Sequence, residues 1–169
     1  MNFLLDTNAV SEWVKPQPNR GLADWLDSID EDRTFLSVVT LGELRRGVDR
    51  LPDGRRRERL SAWLTEEVPD RFAGRLLPID EVVALAWGRL RARVDVLGRC
   101  VDPVDGLIAA TAESHGLTIV TRNVRDFEVT GVPIVDPWTR SARGLHGAVL
   151  GDVEGDASHR GSGGARWAQ

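Results

Sequence analysis

The pattern that most constrains this chain is an alternation of short apolar runs with longer stretches whose apolar residues recur every three or four positions. The runs are Phe3-Leu4-Leu5, Thr34-Phe35-Leu36, Leu76-Leu77-Pro78-Ile79, Thr118-Ile119-Val120 and Val132-Pro133-Ile134-Val135. Runs that are apolar throughout, rather than on alternate residues, predict strands buried on both faces. Together with the helical stretches between them, they imply an α/β fold with a mainly parallel sheet covered on each side. One helix is expected from a Thr7-Asn8 cap through Val10, Trp13 and Val14 to Pro16 and Pro18, and a second over 20–29 with Leu22, Trp25, Leu26 and Ile29 on one face. Ser37 caps a third, with the stripe Leu41, Leu44, Val48 and Leu51, and a fourth begins at Asp53 and runs through Leu60, Trp63 and Leu64. A fifth spans Asp80 to about Leu97, and Asp102-Pro103 opens a sixth that stops at Gly116.

Carboxylates fall at the boundaries of these segments. Asp6 directly follows the first run, Asp105 lies in the first turn of the helix opened by Pro103, and Glu43 shares a helix flank with Thr40 and Gly47. Each acid alone has a plain structural explanation. Asp6 could cap the next helix, Glu43 could pair with Arg46 in solvent, and Asp105 could favour the helix dipole by about 0.3–1 kcal/mol. Together, at one edge of one sheet, they are hard to ascribe to coincidence, because sites in such sheets form beyond the strands' carboxyl ends. Clustered carboxylates repel one another, so an empty site raises their pKa values or splays them apart. A hard divalent cation removes that conflict, and Mg²⁺ or Mn²⁺ suits an all-oxygen set while leaving positions for water and phosphate oxygens.

Composition narrows the remaining classes. With 169 residues and 41% hydrophobic content, the chain can bury one sizeable core. We expect one domain over residues 1–139. Beyond Trp138, glycines crowd the segment from Gly144 to Gly164 and large apolar residues are few, so 140–169 is expected to be a flexible tail with Trp167 as its one anchor. A net charge of −4 excludes coating of nucleic acid by bulk electrostatics but leaves room for a local basic patch. Cys100 is the only cysteine, which rules out an internal disulfide and favours a reducing, cytoplasmic setting. No apolar run is long enough to span a bilayer. Neither a phosphate-binding G-x-x-x-x-G-K-[ST] loop nor a G-x-G-x-x-G turn is present. His115 at a helix end reads as a dipole contact, and Trp13, Trp25, Trp63 and Trp87 read as core or partner-facing.

The acids sit in motifs that resemble those of the PIN-domain nucleases. The likeness is carried by Leu4-Leu5-Asp6-Thr7-Asn8, by Ser37, Thr40, Glu43-Leu44-Arg45 and Gly47, by Asp105-Gly106-Leu107-Ile108-Ala109-Ala110-Thr111-Ala112, and by Val120-Thr121-Arg122-Asn123 with Asp126-Phe127. It covers about residues 2–138 and points more narrowly to the VapC-type toxins of bacterial toxin–antitoxin pairs, including their FitB-like branch. The resemblance implies a three-layer α/β/α sandwich, a Mg²⁺- or Mn²⁺-dependent endoribonuclease, a homodimer, and a cognate antitoxin that blocks the cleft, often with an arginine reaching the acids. It assigns Asp6, Glu43 and Asp105 as metal-binding and catalytic residues. One departure stands out: Asn123 occupies a place where the family often has aspartate, and Asp126 lies one turn further on. Either residue could complete the site.

Thr7 or Thr121 could position a phosphate oxygen or a metal-bound water. Arg45, Arg46 and Arg50, with Arg55, Arg56, Arg57 and Arg59 on the following helix, could grip RNA phosphates or form a solvated, salt-bridged face. A second function class remains open: a catalytically weak PIN-fold module that acts with an antitoxin in a DNA-bound repressor complex.

Overall fold

All three residues of the first strand are buried, Leu4 and Leu5 completely and Phe3 to within 8%. Their side chains alternate between two cores: Phe3 and Leu5 pack on one side of the sheet, Leu4 on the other. The computed structural model describes residues 1–139; the expected tail, 140–169, with its Trp167 anchor, lies outside the described residues. The strands β1 (Phe3–Leu5), β2 (Thr34–Ser37), β3 (Leu76–Leu77), β4 (Thr118–Val120) and β5 (Ile134–Val135) form one sheet in the order β3-β2-β1-β4-β5. Every pairing is parallel, and Phe3 stands opposite both Thr34 and Thr118.

Helices cover both faces, so the three-layer α/β/α sandwich is borne out. One layer holds α1 (Thr7–Ser11), α2 (Arg20–Asp27), α3 (Val38–Asp49), α4 (Arg55–Ala62) and α5 (Val68–Arg71), packed through Val10, Leu22, Trp25, Leu44, Leu60 and Phe72. The other holds α6 (Glu81–Val96), α7 (Pro103–His115) and α8 (Val124–Glu128), packed through Leu90, Val94, Ile108, Ala112 and Phe127. Among the described residues no helix is long and apolar enough to cross a membrane.

Two details correct the sequence-based layout. The helix expected from Asp53 starts at Arg55 and continues through a π-helical turn, Trp63–Glu67, into α5. Pro69 explains the wide turn: proline lacks an N–H and crowds the carbonyl four residues back, and a π turn relieves both. Thr40, expected on a flank beside Glu43, is instead fully buried.

Long-range polar contacts tie the amino edge of the sheet. Arg75 donates from Nη1 to the Glu31 carbonyl (2.7 Å), the Thr34 carbonyl (2.9 Å) and Thr34 Oγ1 (3.1 Å), and from Nη2 to the Arg71 carbonyl. Its guanidinium carbon also lies 4.8 Å from the centre of the Phe72 ring. In the other layer, Gly116 ends α7 in the left-handed region with φ 63°. The Leu117 amide then closes onto the Ala112 carbonyl at 2.9 Å and feeds β4. Gly116→Ala should cost about 1 kcal/mol, because a Cβ is strained at that φ; an unchanged urea midpoint would show that the turn relaxes freely.

Candidate active site

A sheet of order β3-β2-β1-β4-β5 changes direction between β1 and β4, since successive strands run outward one way to β3 and then the other way to β5. Ligand crevices open at such a switch point, beyond the strands' carboxyl ends. Asp6 and Thr121, the residues that follow β1 and β4, meet there: Thr121 Oγ1 donates to Asp6 Oδ2 at 2.8 Å, and the Asp6 amide donates to the Val120 carbonyl at 3.1 Å.

Asp6 is 4% exposed and firmly held. Its Oδ1 accepts from the Thr7 amide at 2.7 Å, which makes Asp6 the cap of α1 in place of the expected Thr7-Asn8. Asn8 Nδ2 adds a third donor, to Oδ2 at 3.0 Å. Thr121 Oγ1 also accepts the Asn123 amide at 3.0 Å, so one hydroxyl orients the first acid and shapes the turn that carries Asn123. The Thr7 hydroxyl is different. Its oxygen is buried without a hydrogen-bond partner, as is that of Thr40, one turn before Glu43.

Asp105 reaches the same crevice from α7, whose start is fixed by Asp102 accepting from the Val104 amide at 2.8 Å. Burial pushes the Asp105 carboxyl up to about 6, and the negative charges of Asp6, Asp102, Asp126 and Glu43 push in the same direction. The three expected acids thus share one electrostatic neighbourhood, which Asp126 and Asp102 join. Asn123, exposed at the start of α8, carries no charge to add. Glu43 is half-buried and lies 3.6 Å from the exposed Arg46, a solvent-facing pair of small energetic weight.

The arginines expected to hold RNA divide. Arg45 is committed within the fold, through Nε and Nη2 to Asp49 (2.9 and 2.7 Å) and through Nη1 to Ser61 (2.8 Å), where it joins α3 to α4. Arg57 pairs with Asp53 and Asp49. Arg46 and Arg50 are exposed. A cavity of about 360 Å³ beside Asp105 and Asp126 is instead bordered by Arg99 and Arg125, two residues that belong to no sequence motif.

Among the described residues, no three histidine, cysteine, aspartate or glutamate side chains stand close enough to hold a metal ion as placed. The donor set fits a hard cation: oxygen ligands only, one carboxyl driven toward its neutral form by burial and then by the surrounding acids, and an unpartnered Thr7 hydroxyl beside Asp6.

A central parallel sheet with acids gathered at its switch point defines a class of α/β scaffold with an acidic crevice, and comparison with known proteins narrows it. The sequence profile of the PIN domain matches residues 3–132. The chain belongs to the PIN-domain family. Toxin FitB of Neisseria gonorrhoeae is 41% identical over 136 residues, which are 80% of this chain and 98% of FitB. VapC ribonuclease Y4jK of Sinorhizobium fredii is 38% identical over 136 residues, 80% of this chain and 97% of the relative. Among solved structures, that of FitAB bound to an IR36 DNA fragment superposes with a TM-score of 0.76 at 37% identity, covering 82% of this chain and 97% of its match. The chain sits with the VapC- and FitB-like members of the family.

Proposed function

We propose that this protein is the toxin of a toxin–antitoxin pair and acts as a divalent-metal-dependent endoribonuclease that hydrolyses RNA phosphodiester bonds. The observation that carries this reading is the joint field at Asp105, raised by burial and by Asp6, Asp102, Asp126 and Glu43 together. Its similarity to a relative named a ribonuclease and another named a toxin points the same way.

Asp6, Glu43 and Asp105 would hold Mg²⁺ or Mn²⁺, with Asp126 as the added acid and Asn123 as a neutral oxygen donor. Bound there, the cation would acidify a water for in-line attack and stabilise charge on the phosphoryl oxygens. Thr121 keeps the Asp6 carboxylate aimed, and Thr7 offers its free hydroxyl to a phosphate oxygen or an ordered water. The test is cleavage of total RNA by the purified chain with Mg²⁺ or Mn²⁺, abolished by a chelator and restored by added metal. Metal-independent cleavage, or none under any divalent ion, refutes it.

As partners, the reading predicts a homodimer and a cognate antitoxin whose arginine can replace the cation's charge at the acids. A small neighbouring gene for a DNA-binding protein that relieves growth arrest is the expected genetic signature. The second reading, a catalytically weak module in a DNA-bound repressor complex, draws on the neutral Asn123 and on the similarity to FitAB on DNA.

Asn123 and Asp126 separate by titration. Because Asp126 already bears on Asp105, Asp126→Asn should weaken Mn²⁺ binding about tenfold, whereas Asn123→Asp should change it little until Asp126 is also neutralised. Calorimetry on the two single variants and the double would decide. A large gain from Asn123→Asp alone would give position 123 the fourth ligand.

A further inference from the structure

The cavity beside Asp105 is lined by cationic as well as acidic side chains. Asp102, Asp105 and Asp126 line it together with Arg99, Cys100 and Arg125. Among the described residues neither arginine side chain makes an ion pair or a hydrogen bond, although three carboxylates share the cavity. Both arginines stand on anchored backbone. Arg99 follows Gly98, whose φ of 64° turns the chain out of α6, and the Arg99 amide is tied to the Val94 carbonyl at 3.1 Å. Behind this loop, Arg91 Nη1 donates to the Val101 carbonyl at 3.0 Å, and Asp102, the next residue, caps α7. Arg125 lies on α8, which is pinned by the fully buried Phe127.

Unpaired guanidiniums held beside a cluster of carboxylates serve a ligand that carries negative charge of its own. The acids repel a polyanion, and the chain as a whole, at −4, offers no general attraction to one. A local pair of forked donors overcomes both, since guanidinium matches the geometry of phosphate oxygens and remains charged at any working pH.

We propose that Arg99 and Arg125 form a phosphate clamp that seats the RNA backbone beside Asp105 and Asp126. This rests on the reading of the site as an RNA-cleaving centre. It adds where the substrate's backbone runs.

The test is equilibrium binding of a fluorescein-labelled, unstructured mixed-sequence oligoribonucleotide to the full chain across a salt series, with chelator present to prevent cleavage, followed by cleavage kinetics in Mn²⁺. Arg99→Ala with Arg125→Ala should weaken binding at least about tenfold and flatten the slope of log K against log salt by about 0.7 for each phosphate no longer neutralised. Arg99→Lys with Arg125→Lys should keep most of the slope, and Arg33→Ala, just ahead of β2 at the strands' amino edge, should leave it unchanged. Thermal melting checks that each variant is folded. Cleavage by the parent with the same KM and salt slope in the double alanine variant overturns the clamp and leaves the ribonuclease reading intact. Arginine-dependent binding without cleavage in any divalent ion supports the clamp and overturns that reading. Failure of the parent to bind the oligoribonucleotide overturns both.

Discussion

Asp105→Asn should reduce metal-dependent RNA cleavage by about a hundred- to a thousandfold and relieve the growth arrest caused by induced expression, with Asp6→Asn matching it. The same Asp105 substitution should raise the melting temperature of the metal-free protein at neutral pH. The sign follows from the raised pKa, about 6 against an ordinary 3.8, caused first by burial and then by the surrounding acids. Between those values the folded chain binds more protons than the unfolded one, so the contribution of Asp105 is most favourable below about pH 4 and is lost as pH rises through about 6. The asparagine variant should therefore melt higher than the parent at pH 7 and draw level with it at pH 4. Divalent ions should reverse the order at pH 7 by stabilising the parent alone. Folded variants that remain fully toxic, or a pH-independent gap in melting temperature, would sink the assignment.

Arg75→Ala should cause a large loss of stability, about 3 kcal/mol in urea unfolding. The side chain is 14% exposed, and its guanidinium serves three separate carbonyls as well as the Thr34 hydroxyl. Removing it takes this donor from the Thr34 and Arg71 carbonyls at the sheet edge, while the Glu31 carbonyl keeps the Thr34 hydroxyl at 2.7 Å. Arg75→Lys should recover less than half, because one ammonium cannot span carbonyls on Glu31, Thr34 and Arg71 at once. The folded fraction of either variant should cleave RNA normally, since Arg75 precedes β3 at the amino edge and the acids lie beyond the carboxyl edge. A loss below about 1 kcal/mol would mean that water replaces the arginine.

Much of this architecture is readable from the residues. Apolar runs locate all five strands, Asp102-Pro103 and Gly116 bracket α7, and Ser37 caps α3 through the Val39 amide as its position suggests. Position after a strand is enough to bring Asp6 and Thr121 into the crevice. What periodicity cannot supply is the identity of partners across the fold. Asp6 rather than Thr7-Asn8 caps α1, and its carboxylate also takes the Thr121 hydroxyl, 115 residues away. Arg45 looks available for RNA in the sequence and is consumed by Asp49 and by Ser61 on the next helix. Arg99 and Arg125 belong to no motif; only the folding of the α6–α7 loop against α8 brings them to one cavity. The π turn before Pro69 is equally hidden, since a proline near a helix start usually signals a fresh beginning.

The central place of β1 has a consequence in time. Residues 3–5 are synthesised well before both of their neighbours in the sheet, Thr34-Phe35 on one side and Thr118–Val120 on the other. A nascent chain halted before residue 105 already carries Asp6 and Glu43 but lacks Asp105, Asp126 and the hydroxyl that aims the first acid. Pairing of such distant segments is slow to close and waits for the later one to emerge. On the proposed ribonuclease reading, this ordering amounts to a safety interlock: chains interrupted before Asp126 are expected to be inert, and cleavage is expected only once the codons for Asp105 and Asp126 have been translated.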